Sequence, residues 1–322
     1  MLFAIFFMLF VGSCGDGGLT FEDQGRTVPE FSADSAYRFI KAQVAMGPRV
    51  PNTEAHREAL QFYTDHFNRT AGSQSVYVQS FRQEVYGDEL QLHNVIASFG
   101  TENRDRILLA AHWDSRPRSE YDPVSPELPV PGADDGASGV GVLMELGRIF
   151  SENPPPVGVD LILFDGEDYG RESDLQHYFL GSRYWSNNPP VPGYSPRFGI
   201  LVDMVGGKEA TFTKELNSLS FAPNLVDEIW SIGQGLGYEH YFQDERGGRI
   251  GNDHMIVEKI TGIPMIVIIN HRRDESGRVQ FSEYWHTQSD TMDKIGKETL
   301  QAVGDVLLEL IYNRIPDGIH EN

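Results

Sequence analysis

The stretch Ile162-Leu-Phe-Asp-Gly-Glu-Asp-Tyr-Gly-Arg171 decides the fold. With Val159-Asp160-Leu161 before it, it opens as an apolar run too short for a helix, and Gly166 then breaks it into two adjacent carboxylates, Glu167 and Asp168. Ligands of α/β proteins bind beyond the carboxyl ends of the strands, and side chains of successive residues in a turn diverge. One acid can therefore ligate a metal while its neighbour acts on a substrate as a general base. A Glu-Asp pair alone is more often a solvated turn, so the weight falls on what surrounds it.

Upstream, residues 106–111 form a compact apolar run of the kind found in buried central strands, and they deliver His112-Trp113-Asp114. A loop rich in Pro, Ser and charge (116–131) leads to Pro131-Gly-Ala-Asp-Asp-Gly-Ala-Ser-Gly139. A helix burying Val140, Leu143, Met144 and residues 146–150 follows, and Asn153 with three prolines ends it. Strand, loop, helix, strand implies a parallel pair with a right-handed crossover.

Further out, Ala36, Phe39, Ile40 and Val44 predict an amphipathic helix capped at Ser32 or Asp34. Leu60, Tyr63 and Phe67 predict a second, starting at Asn52 or Thr53. Strands are expected at 75–81 and 92–99, a helix at 175–185, a strand at 199–205, a helix around 224–232, another from Asn252, a strand at 264–270 and a last helix at 296–311. The expected fold is a single α/β domain with a central mixed, mostly parallel sheet flanked by helices on both faces.

The 322 residues, 40% hydrophobic and 11% aromatic, suffice for a packed core. A net charge of −21, from 47 acids against 26 bases, argues against nucleic acid and anionic lipid surfaces as partners. The single cysteine excludes an intramolecular disulfide and a thiolate-rich metal site, leaving His, Asp and Glu as donors. That cysteine, Cys14, follows an apolar run too short to span a bilayer, and Val11-Gly-Ser-Cys14 resembles the cleavage box of bacterial lipoproteins, although no Lys or Arg precedes the run. Residues 1–18 are thus expected to be a leader and tether with a lipid anchor at Cys14 of an exported protein, periplasmic or membrane-anchored. Residues 19–322 are expected to be one catalytic domain.

Five candidates fall at or beyond predicted strand ends: His112 with Asp114, Asp134-Asp135, Glu167-Asp168, Asp203 and His286. Singly each has an ordinary structural explanation, since Asp before Gly is usually a turn former. As a set they supply imidazole and carboxylate without thiolate, which suits a catalytic zinc site with three protein ligands and an open position.

In this order, His112-Trp-Asp114, Gly132-Ala-Asp-Asp-Gly-Ala-Ser-Gly139, Glu167-Asp168, Asp203-Met204 and His286-Thr287 resemble the superfamily of zinc aminopeptidases with two co-catalytic metals, from about Gly47-Pro-Arg-Val-Pro51 to the last helix. Trp285 before His286, Asp253-His254 opening a helix, Asp165-Gly-Glu-Asp168 and Gly181-Ser-Arg183 are similar to the glutaminyl cyclases within that group. The resemblance implies one Zn²⁺ per chain on Asp135, Asp168 and His286, Asp135 being preferred to Asp134 because it stands three residues before Ser138. It further implies Glu167 as proton shuttle, Asp203 and Asp253 as buried supporting acids, and Trp285, with Phe281 nearby, against the substrate. His112 and Asp114 are left for a second metal or a supporting role. Two positions depart from the pattern: Asp168 stands where many relatives have glutamate, and Asn252 where many have a second aspartate.

The activity so implied converts the amino-terminal glutamine of a peptide or protein to pyroglutamate. The α-amine attacks the γ-carboxamide, polarised by zinc, and ammonia leaves as Glu167 moves the proton. The competing expectation is an aminopeptidase in which His112 and Asp203 hold a second zinc. A binding protein without activity would have lost a ligand, and none is lost.

Overall fold

The computed structural model describes residues 19–315, so the Cys14 leader lies outside the described residues. Two capped amphipathic helices open the chain. α1 (Ala33–Ala45) starts at Ser32, whose side chain accepts from Ser35 N, and α2 (Glu54–Thr70) at Thr53, which accepts from His56 N. Ala36 and Ile40 of α1 and Ala59, Tyr63 and Phe67 of α2 are the buried stripe their spacing predicts. A hairpin follows, β1 (Val76–Val85) and β2 (Asp88–Phe99), joined by Tyr86 and Gly87 at φ 55° and 92°, a turn whose twist matches the strands. It runs longer than the expected strands because its outer half alternates exposed polar residues with a buried apolar set, Phe81, Val85, Leu90 and Leu92, which packs with Leu180.

β3 (Arg106–His112), α3 (Ala137–Glu152) and β4 (Gly158–Phe164) form the anticipated crossover unit, with β3 and β4 parallel. The expected helix at 175–185 is broken. A 3₁₀ turn (Leu175–His177) leads to Phe179 at φ 60°, and α4 (Leu180–Asn187) starts only there. The cause is tertiary, since the N–H groups of Phe179, Leu180 and Gly181 donate to the carbonyls of Glu167, Gly166 and Asp165.

The remaining elements are β5 (Gly199–Asp203), β6 (Phe212–Lys214), α5 (Leu216–Phe221), α6 (Pro223–Gly235), β7 (Phe242–Arg246), α7 (Asp253–Thr261), β8 (Met265–Ile269), the short hairpin β9 (Arg272–Arg273) and β10 (Val279–Gln280), and α8 (Lys297–Glu309), which closes in a π-helical turn to Arg314. The main sheet has the order β1-β2-β4-β3-β5-β8, antiparallel across β1, β2 and β4 and parallel from β4 to β8.

Side chains alternate across this sheet. Ile107, Leu109 and Ala111 join the core under α1, α2, α3, α6 and α8, whereas Leu108 and Ala110 join the core that contains Trp185 of α4 and Val257 of α7. The free edge of β8 is covered by α5, where Ser218 Oγ accepts from Val267 N at 3.0 Å. The architecture is the single α/β domain expected. Connections from β3 run to β4 on one side, while β4 returns past β3 to β5 on the other. Ligands collect at such a switch point, and the carboxyl ends of β3, β4, β5 and β8 all face the same edge.

Candidate metal centre and active site

The turn after β4 is pinned at every backbone position that matters. Gly166 sits at φ +67°, where a Cβ would meet Leu92 and Leu180 at 3.1–3.3 Å. Asp165 before it receives His56 Nε2 at 2.9 Å and His93 N at 2.7 Å. Beyond it, Asp114 accepts the N–H groups of Glu167 (3.0 Å) and Asp168 (3.2 Å), one on each oxygen. Asp114 is thus a backbone anchor, and it belongs to neither of the clusters described below that could hold a metal. So fixed, Asp168 joins a cluster that could hold a metal and Glu167 does not, while both line the cavity described below.

Asp135, Asp168 and His286 converge, with His286 Nε2 at 3.7 Å from Asp135 Oδ2 and 3.5 Å from Asp168 Oδ2. A second cluster joins His112, Asp135 and Asp203, and its contacts are closer. His112 Nε2 lies 3.1 Å from Asp135 Oδ1 and hydrogen-bonds Asp203 Oδ1 at 3.3 Å. Asn252 Nδ2 donates to the other Asp203 oxygen at 2.7 Å. His286 (φ 55°) and Met204 (φ 46°) both hold left-handed backbone, strain of the sort concentrated at functional sites.

Asp168 is short for its task, and Arg116 shapes what it offers. The buried guanidinium donates through Nη1 to Asp168 Oδ1 (2.6 Å) and to the Asp168 carbonyl (3.0 Å), while Nε and Nη2 hold Glu120. Asp168 Oδ2 is buried without a hydrogen-bond partner among the described residues and faces His286. An orphaned carboxylate oxygen beside a second acid and an imidazole is costly unless a cation completes it.

Electrostatics agree with that need. Burial, with Asp135 and Asp114 adding to it, pushes the Asp168 carboxyl well above its usual range, and Arg116 and His112 oppose this without reversing it. Burial pushes the His286 imidazole down to about 3, keeping it neutral as a metal ligand must be. Burial likewise lifts Glu167 well above the usual carboxyl range, with Asp168, Asp253 and Asp203 adding to it and His112 opposing. With N and O donors and no thiolate, the residues fit zinc.

A cavity of about 290 Å³ opens on this cluster, near the lower end of small-molecule sites, about 300 Å³. Glu167, Asp203, Phe281, Trp285 and Asn252 line it. The Trp285 indole stacks on His286 (centroids 3.7 Å, 29°) and meets Phe281 (4.4 Å) and Tyr121 (5.3 Å). Asp253 is fully buried, accepting from Ser182 Oγ through Oδ1, with Oδ2 unpartnered among the described residues. Of the two neighbours, Asn252 is the one that touches Asp203.

Sequence reasoning missed Arg116, Tyr121 and Asp290 as site residues, and left open whether Asn252 or Asp253 holds the supporting position. For Arg116 a signal existed, an arginine two residues beyond His112-Trp-Asp114 in a strongly acidic chain.

Fold and site together define the class of zinc exopeptidase-like domains. The chain belongs to peptidase family M28, whose profile matches residues 94–311. It is similar to a Zn-dependent exopeptidase from Parabacteroides distasonis (45% identity, TM-score 0.85, covering 89% of this chain and 100% of that one) and to a glutaminyl cyclase from Bacteroides thetaiotaomicron bound to N-acetylhistamine (41%, 0.84, 89% and 99%). Among sequence relatives, the glutaminyl-peptide cyclotransferase of Bos taurus is 23% identical over 294 residues, 80% of this chain and 76% of that protein. The family and its neighbours imply zinc.

Proposed function

We propose that this protein is a glutaminyl-peptide cyclotransferase with one zinc per chain, acting on peptides or proteins that begin with glutamine. The observation that carries this reading is the closure of the second cluster, in which one Asp203 oxygen is taken by His112 and the other by Asn252. Among the described residues, Asp168 Oδ2 is the one ligand oxygen left buried and unpartnered. The similarity to glutaminyl cyclases of cattle and bacteria supports the same reading.

Asp135, Asp168 and His286 would hold the zinc, which when bound supplies a Lewis acid for the γ-carbonyl. Glu167, in the cavity wall and held by the turn, takes a proton from the attacking α-amine and returns it to the departing nitrogen. Trp285, Phe281 and Tyr121 exclude water and hold the glutamine folded on itself, so that amine and carboxamide meet as one molecule. Asp203 faces the cavity with both oxygens fixed, and Asp253, buried and bonded by Ser182, adds negative charge near Glu167. Ammonia release from glutamine-initiated peptides, without peptide cleavage, tests the proposal.

The second reading, a di-zinc aminopeptidase, is favoured by one observation. His112, Asp135 and Asp203 lie within metal-holding distance of one another, and a Zn-dependent exopeptidase shares the fold. Metal content and product identity separate the two.

A further inference from the structure

Gly47-Pro-Arg-Val-Pro51 lies outside the site, yet its arginine is fully buried. All the side-chain hydrogen bonds of Arg49 among the described residues go to backbone carbonyls: Nε to Trp113 (3.2 Å), Nη1 to Pro131 (3.0 Å) and Nη2 to Gly132 (2.6 Å). A guanidinium taken out of water needs compensation, and an apolar side chain would fill the same space at less cost. What the cation does is tie the exit of β3, one residue past His112, to the loop that carries Asp135.

A second buried group, a carboxyl, holds the N–H groups of that loop. Asp290 Oδ1 accepts from Asp134 N at 2.8 Å and Oδ2 from Asp135 N at 3.1 Å, and Asp290 lies four residues beyond His286. Two carbonyls of the loop therefore face a guanidinium and two of its N–H groups a carboxyl. The glycine spacing follows from this arrangement. A Cβ on Gly132 (φ +67°) would stand 2.7 Å from Arg49 Nη2, and one on Gly136 (φ +96°) 2.6 Å from the Asp114 carbonyl.

We propose that Arg49 and Asp290 are a two-sided positioning clamp that fixes the Pro131–Asp135 loop and so aims the Asp135 carboxylate at the metal. The inference rests on the zinc reading of Asp135, Asp168 and His286, and is independent of which reaction the zinc serves. Partners that orient a ligand in this way are worth roughly 10–100-fold in metal affinity.

The test is zinc affinity, by competition with a chromophoric chelator, and the absorption spectrum of the Co²⁺-substituted protein, for Arg49→Lys, Arg49→Met, Asp290→Asn and the Arg49→Met/Asp290→Asn double variant. Thermal melting of each metal-free protein is measured alongside. Each single change is expected to weaken zinc by about 10–100-fold and alter the Co²⁺ spectrum, with Lys milder than Met. The double variant is expected to lose less than the product of the singles, because both act on one loop.

Arg106→Lys is the control for simple destabilisation. Arg106 binds Asp160 and the Phe99 and Gly100 carbonyls at the far end of β3, so this change should lower melting and leave zinc affinity alone. If Arg49→Met does not fold, Arg49→Lys and Asp290→Asn carry the test. Folded variants with unchanged zinc affinity and Co²⁺ spectrum would overturn the clamp. A wild-type chain that binds no zinc would instead overturn the metal reading beneath it.

Discussion

Arg116 grips one oxygen of Asp168 at 2.6 Å and leaves the other facing His286 at 3.5 Å. The aspartate can then offer a metal only one oxygen, and its position is set by a buried cation rather than by the side chain's own reach. Arg116→Met should therefore weaken zinc by about 10–100-fold while the fold survives. Arg116→Lys should recover only part of the loss, since an ammonium cannot fork between Asp168 and Glu120. Zinc titration of both variants checks this, and an unchanged dissociation constant for Arg116→Met would remove Arg116 from the account.

Glu167 carries the proton in the proposed reaction, and an amide of the same shape cannot. Glu167→Gln should keep its melting temperature and zinc and lose roughly 10²–10⁴-fold in turnover. Activity within about tenfold of the parent, a barrier change under ~1.4 kcal/mol, would show that the shuttle is elsewhere.

The Trp285 indole, stacked on His286 and backed by Phe281, forms the apolar wall of the cavity. Trp285→Ala should lower kcat/KM by about 10²-fold through misplacement of the substrate, and Trp285→Phe by less. Zinc content should not change in either. Metal loss in Trp285→Ala would mean that the indole serves the ligand His286 rather than the substrate.

What could be read from the sequence, and what could not, divides along physical lines. Residues 106–111 and 159–164 read as central strands because both faces are apolar, and Glu167 and Asp168 stand out as polar groups where the second ends, whereas Asp135 and His286, each beyond a loop, are named as ligands by the resemblance. Where tertiary contacts decide, the pattern was silent. The break at Phe179 comes from three N–H groups captured by the Asp165–Glu167 carbonyls, and β6, three residues long, is too short to show a period. Arg49 and Asp290 work by bonding distant backbone, which leaves no local signature, and Asp114, which stands out beside His112, also does its bonding to distant backbone.

Stability should depend on pH through His66, buried under α3 and 2.8 Å from the Met144 carbonyl. Burial pushes its imidazole down to about 4, with Arg69 and Arg148 in the same direction and the Met144 carbonyl opposing. The folded value lies below the unfolded one, about 6.5, so the contribution is complete above pH 6.5 and is lost as pH falls toward 4. The loss is on the order of 3 kcal/mol. His66→Gln, which keeps a donor for Met144, should remove it. Urea midpoints of parent and variant should converge as pH drops from 7 to 4, and a constant gap would show that His66 is not the sensor.

The central claim is that one zinc at Asp135, Asp168 and His286 serves cyclisation rather than hydrolysis. The most direct measurement combines the metal content of the purified chain with product analysis, by mass spectrometry and ammonia assay, on one peptide beginning with glutamine and one beginning with leucine. The account predicts about one zinc per chain, ammonia and a blocked amino terminus from the first peptide, and no change in the second. Two zinc ions per chain with free leucine released would contradict it and establish the aminopeptidase.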